Sequence, residues 1–176
     1  HITGSYLLTH GEAFLPTHVA MDVLSSIGWE GDLPETVERD GQTGFLGNQI
    51  FSLLVRGGFS LNFKNRAGED VQVTEGDVSG SIDKRGIGAE DGRLLDAVVQ
   101  THGTDIGADF INKMTKMTIA ICTAMGFTTG IDDEDLPPEA KDEIDRINAE
   151  ASANVDSELE KFGKDGRKYE ARPGRT

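Results

Sequence analysis

The sequence predicts an α+β fold: short strands and a β-hairpin set among helices in the first part, then long helices toward the C-terminal end. Three observations predict it. Val71 and Val73 alternate with polar residues up to a turn at Glu75-Gly76-Asp77, and Val78, Gly80 and Ile82 return on the same face, the pattern of a half-buried hairpin. Ala20, Val23, Leu24 and Ile27 recur at i, i+3, i+4 and i+7, one face of a helix. Two long stretches with helical spacing follow Thr104 and Pro137, separated by the glycine-punctuated turn Gly126 to Asp135.

Taken in order, the first strong helical pattern covers residues 15–27, with Pro16 suited to a first turn and Gly28 to a C-terminal stop. Residues 30–43 are mostly polar, include Gly31, Pro34 and Gly41, and read as an exposed loop. The apolar run Ile50 to Val55 fits either a strand or a buried helical segment, since periodicity does not separate the two. Residues 60–63 alternate as a short strand with Leu61 and Phe63 on one face. In the hairpin that follows, Gly80 has no side chain to pack, so the return strand weakens there. From Asp91 the pattern turns helical, with Leu94, Leu95, Val98 and Val99 as its stripe and Gly103 as its stop. Thr104 is placed to cap the next helix and Asp105 falls in its first turn. Its apolar residues Ile106, Phe110, Ile111, Met114, Met117, Ile121 and Met125 form a broad stripe, so burial on most sides is expected, with Cys122 as a small core residue. Pro137 and Pro138 start the last helix, where Ile144, Ile147, Ala151, Val155, Leu159 and Phe162 make one narrow seam fit for a single packing neighbour. Lys161, Lys164, Arg167 and Lys168 cluster toward its end, where the helix dipole favours cations.

The chain has 176 residues, 31 acidic against 17 basic, and a net charge of −14, which excludes a generic nucleic-acid-binding domain by long-range attraction. Any phosphate contact has to come from local cations. An acidic, lysine-poor but well-patterned chain also suggests adaptation to high salt, where screening lengths fall to about 3 Å at 1 M, and a halophilic source is expected on that ground. A single cysteine leaves no disulfide framework within the chain. No run of eighteen apolar residues and no signal-like segment is present, so a cytoplasmic, unanchored protein is expected. His1 at the start and the polar end at Thr176 look like cuts in something longer.

No constellation in the sequence carries an active site. Asp132, Asp133, Glu134 and Asp135 lack calcium-loop spacing, and acids before a helix have a structural reason to be there. Gly86, Gly88 and Gly92 miss the dinucleotide fingerprint by one residue. His1, His10, His18 and His102 are scattered, without a partner at zinc-ligand spacing. Lys84-Arg85 is the one basic pair inside an acidic, glycine-rich stretch at the end of the hairpin. Two readings stay open for it: a surface pair balancing Asp83 and Glu90, or cations that approach a phosphate beside flexible Gly86 and Gly88.

Four segments carry a resemblance: ITGSYLLT from Ile2, FLGNQIFSLL from Phe45, SGSIDKRGIGAEDGRLLDAVV from Ser79, and GFTTGIDDED from Gly126. In this order and at these spacings the chain resembles the pore and early funnel region of the largest subunit of multisubunit RNA polymerases, in its archaeal A-prime form. The resemblance implies a pore region over residues 1–130 and the start of a funnel over residues 131–176. It implies a chain that shapes the secondary channel for nucleotide entry and backtracked RNA, inactive alone, within a nucleotidyltransferase. The magnesium of that enzyme is held outside these residues, so no cofactor and no catalytic residue is expected here. The family carries a basic pair where Lys84 and Arg85 stand, beside extruded RNA, which implies nucleic-acid binding by these two residues. The family reads Gly-Lys-Gln where this chain has Gly47, Asn48 and Gln49, so a cation is missing there. Implied partners are the other polymerase subunits, the DNA template and RNA transcript of the whole enzyme, and a transcript-cleavage factor near the funnel, with no membrane. The competing expectation is a free-standing acidic protein-binding module that uses its C-terminal helix as the partner surface.

Overall fold

The computed structural model describes residues 1–128 and 130–164. The chain divides into two compact units, His1–Phe127 and Thr128–Thr176. The first mixes helices with two antiparallel sheets, as the α+β expectation requires.

The first unit opens with helix α1 (Ile2–Thr9), strand β1 (Phe14–Pro16) and helix α2 (Thr17–Ser26). Gly28 follows the end of α2 with φ +64°, the expected stop, but the helix starts two residues later than its pattern suggests: Leu15 and Pro16 belong to β1, and Pro16 is the N-cap rather than part of the first turn. Ala20, Val23 and Leu24 are buried on its inner face. Residues 30–43 are not simply a loop. Strands β2 (Val37–Arg39) and β3 (Gln42–Leu46) form a hairpin there, and β3 also pairs with β1, giving the order β1-β3-β2. The two-residue turn Asp40-Gly41 takes positive φ at both positions, 52° and 75°, which is the twist a type I′ hairpin needs. Alternation failed as a signal because β2 is exposed or half-exposed along its length, while β3 buries the consecutive pair Gly44 and Phe45.

Helix α3 (Gly47–Ser52) resolves the ambiguous apolar run as a helix, burying Ile50 and Phe51. The Gln49 side chain accepts a hydrogen bond from the Leu46 backbone N–H at 2.8 Å and fixes its first turn. Gly47 lets the start of α3 lie against α1: a Cβ there would run into the carbonyl oxygen of Leu8. Strands β4 (Ser60–Lys64), β5 (Asp70–Thr74) and β6 (Asp77–Ser79) make an antiparallel meander. Phe63 pairs with Val71 and Leu61 with Val73, so one face carries the apolar residues. The β5–β6 turn is Glu75-Gly76, again with both φ positive, and the return strand ends at Ser79 just before Gly80, φ +94°.

A short helix α4 (Lys84–Ile87) leads to α5 (Arg93–His102) and α6 (Thr104–Met125). The α6 helix is the central one: α1, α2 and α5 all pack against it. It is amphipathic rather than enclosed. Phe110, Met114, Met117 and Ile121 are buried, whereas Ile111, Ile119 and Met125 are exposed and Cys122 is only partly buried. Thr104 does not cap it. Gly103 holds the N-cap position, and no side chain caps the end. The core of this unit is one connected cluster running from Leu8 through Phe45, Phe51, Val71 and Leu94 to Ile121.

The second unit holds a 3₁₀ turn at Ile131–Glu134 and helix α7 (Pro138–Lys164). Asp133 accepts a hydrogen bond from the Gly130 N–H at 2.7 Å, a structural task for one of the turn's acids. The seam of α7 is open rather than packed: Ile144 is 40% exposed and Leu159 61%. Lys161 bonds Glu158 at 2.6 Å. Arg167 and Lys168, expected in the basic cluster, lie outside the described residues.

Candidate nucleic-acid interface

Lys84 and Arg85 follow the end of the hairpin, as expected, and form the first turn of α4. Asp83 is the N-cap: its Oδ1 accepts from the Arg85 backbone N–H at 2.8 Å, and its Oδ2 accepts from the Arg66 N–H at 2.7 Å. The Asp83 carboxylate is therefore spent on backbone donors and does not neutralise either side chain. Lys84 Nζ lies 3.6 Å from Glu90, as the surface-pair reading anticipates. Both partners are substantially exposed, so this contact is a weak restraint.

Arg85 is held more specifically. Its Nη1 donates to the carbonyl oxygens of Lys64 and Asn65 at 3.3 and 3.4 Å, and its Nε lies 3.9 Å from Asp91. Asp91 is shared, because its other oxygen is 3.6 Å from Arg93 Nε. Lys64, at the end of β4, pairs with Asp70 at 2.8 Å and donates to the Gly68 carbonyl at 3.2 Å. Phe63, Lys64, Arg85, Asp91 and Arg93 line one cavity of about 240 Å³.

The sheet edge and two helix starts thus gather cations that are far apart in sequence. Lys84 and Arg85 were visible as a pair. Lys64 and Arg93 were not, since nothing in the local pattern says that the end of β4 meets the start of α5. The alternation of β4 could have marked Lys64 as outward-facing, but its neighbours come from tertiary packing. Asn48, where a cation is missing, lines a different cavity, with Asp32, Glu75 and Asp77 around it. Among the described residues, no group of three or more His, Cys, Asp or Glu side chains is arranged to hold a metal ion, and no helix is long and apolar enough to cross a membrane.

Residues 1–134 match the family described as RNA polymerase Rpb1, domain 3. The chain belongs to this family. It is 33% identical to the DNA-directed RNA polymerase subunit Rpo1N of Thermococcus celer, over all of this chain and 23% of the relative. The Methanocaldococcus jannaschii subunit of the same name is 35% identical over 92% of the chain and 13% of its own length. The Halobacterium salinarum subunit is 30% identical over the whole chain and 18% of its length. The chain thus spans less than a quarter of the length of these relatives. They come from several archaea, and identity to the Halobacterium protein is no higher than to the others, so the relatives do not mark a salt-adapted source. In this Rpb1 domain 3 member the basic pair, the cavity beside it and the acidic N-cap all fall inside the matched residues.

Proposed function

We propose that this chain is the pore and early funnel part of an archaeal RNA polymerase largest subunit, and that Lys84 and Arg85 contact phosphates of backtracked RNA in the secondary channel. The observation that carries the reading is the local basic cluster. On a chain with net charge −14, cations from three elements gather around one cavity, and the only acid that lines it is shared between two arginines. Short-range contact, not long-range attraction, then binds the strand. In this reading the chain shapes a passage and performs no bond chemistry. Nucleotidyl transfer and its magnesium belong to other segments of the assembled, cytoplasmic enzyme, and sister subunits, template and transcript complete the channel.

The open seam of α7 supports a protein contact for the second unit. In the main reading that partner is a neighbouring subunit or a transcript-cleavage factor at the funnel. In the second reading, an acidic binding module, it is the purpose of the chain.

The test is Lys84→Ala in the assembled polymerase. Arg85 also bridges two carbonyl oxygens, so Lys84 is the cleaner position. Backtracked complexes should shift toward the forward register, and the salt dependence of backtracking should flatten by about 0.7 in log–log slope for the lost phosphate contact. Unchanged pausing, cleavage and salt dependence would reject the assignment.

A further inference from the structure

The cavity beside the basic pair is built around a single carboxylate. Asp91 lies between two guanidinium groups, at 3.9 Å from Arg85 and 3.6 Å from Arg93, longer than charge-assisted hydrogen bonds of about 2.7–2.9 Å. These are loose pairs. Asp91 and both arginines are about half exposed, so water and ions reach all three. Lys64 lines the same cavity from the end of β4, and its ammonium is drawn to Asp70 and Gly68. Buried Phe63 closes the wall behind them. A water molecule takes about 30 Å³ in the liquid, so about 240 Å³ admits a phosphate group with part of its hydration.

We infer that this cavity is a phosphodiester cradle in which Arg93 and Lys64 join Arg85, and that Asp91 is its internal stand-in anion, displaced when an RNA phosphate enters. The inference rests on the proposed RNA contact of Lys84 and Arg85 and deepens it by giving Lys64, Arg93 and Asp91 each a role in that contact. Arg85 is anchored through Nη1 to the Lys64 and Asn65 carbonyls, so its remaining N–H groups are aimed without a further loss of side-chain freedom. Arg93, the first residue of α5, lines the cavity and lies 3.6 Å from Asp91 through Nε. An entering phosphate takes both guanidinium groups from Asp91, and the released carboxylate turns to water. Binding is therefore an exchange of anions on the arginines and carries a built-in penalty, which keeps a strand free to slide through.

Competition gives the test an unusual sign. Asp91→Asn removes the internal competitor, so it should tighten binding of a phosphodiester by about threefold, the scale of one exposed ion pair. Arg93→Ala should weaken it by a similar factor, and Arg56→Ala, at a cation outside the cavity, should leave it unchanged. The probe is a uridylate tetramer titrated into the 176-residue chain, whose first unit carries its own core, with the Arg Nε–H signals read by NMR. Arg85 and Arg93 signals should move together. A nucleoside triphosphate without metal ion is the second arm: if it binds these residues more tightly than the tetramer, the ligand is a free nucleotide and the RNA assignment is overturned. Unchanged or weaker tetramer binding in Asp91→Asn overturns the cradle. If the tetramer behaves as stated while backtracking ignores Lys84→Ala, the cradle stands and the proposed function falls. If backtracking responds to Lys84→Ala while Asp91→Asn and Arg93→Ala bind the tetramer as the parent chain does, the reverse holds.

Discussion

A single hydroxyl ties the start of the chain to the end of the hairpin. Thr9 Oγ1 donates to the Ser5 carbonyl oxygen at 2.7 Å and accepts from the Ile82 N–H at 2.7 Å, both inside the core. Replacing Thr9 by Val keeps the shape and removes the acceptor, leaving the Ile82 N–H buried and unpaired. The expected loss is about 1–3 kcal/mol. Urea unfolding should show it as a lower midpoint with an unchanged slope, and Thr9→Ser should restore most of it. Equal stability of Thr9→Val and the parent chain would mean that Ile82 finds another partner. This contact spans 73 residues and left no trace in the local pattern. The same limit governed the candidate site. Lys84 and Arg85 stood out because they are adjacent and alone in an acidic stretch. Lys64 and Arg93 are ordinary surface cations until packing brings β4 beside the start of α5.

Among the elements, α7 offers the most direct electrostatic test. Arg146 donates to Glu143 through Nε at 2.8 Å and Nη2 at 2.7 Å, and through Nη1 to Glu150 at 3.2 Å. The Arg146 hydrogen bond holds the Glu143 carboxyl below its ordinary range. A carboxylate whose folded pKa is depressed adds stability above its unfolded pKa and loses that stability as pH falls through the folded value. Helix α7 should thus lose this support only on acidification. Arg146→Ala should move the Glu143 titration midpoint upward, as read from its side-chain carboxyl signal, and an unmoved midpoint would show that the pair does not hold in solution. How well each element could be read follows from its signal. The β5–β6 hairpin carries alternation and a glycine turn together and was legible. The β2–β3 hairpin carries only its Asp40-Gly41 turn, because its strands do not alternate in burial, and it passed for a loop. Helix α6 was placed correctly from its spacing, but its exposed Ile111 and Met125 made its face look wider than the buried one.

Across the whole molecule the dominant physical fact is unbalanced charge, and among the described residues it is carried at the surface. The buried polar residues are Ser5, Thr9, Asn65, Ser81 and Thr118, with no ionised side chain among them. Residues 1–127 hold 17 acidic against 9 basic residues, and residues 128–176 hold 14 against 8, so each unit is strongly anionic by itself. Repulsion among exposed like charges opposes compaction, and it is damped once the screening length drops from about 10 Å at 0.1 M to about 3 Å at 1 M salt. The ion pairs present act in the opposite direction, since salt weakens them too. They are exposed and individually worth little, so the excess charge decides the sign. The melting temperature of the first unit should therefore rise by about 5 °C between 0.1 M and 1 M sodium chloride, a change of order 1 kcal/mol for a domain of this size. Scanning calorimetry measures it, and sodium and tetramethylammonium chloride should act alike if screening is the cause. A flat or falling melting temperature would show that the acidic surface is no adaptation to salt. It would also return the low lysine content to an accident of composition.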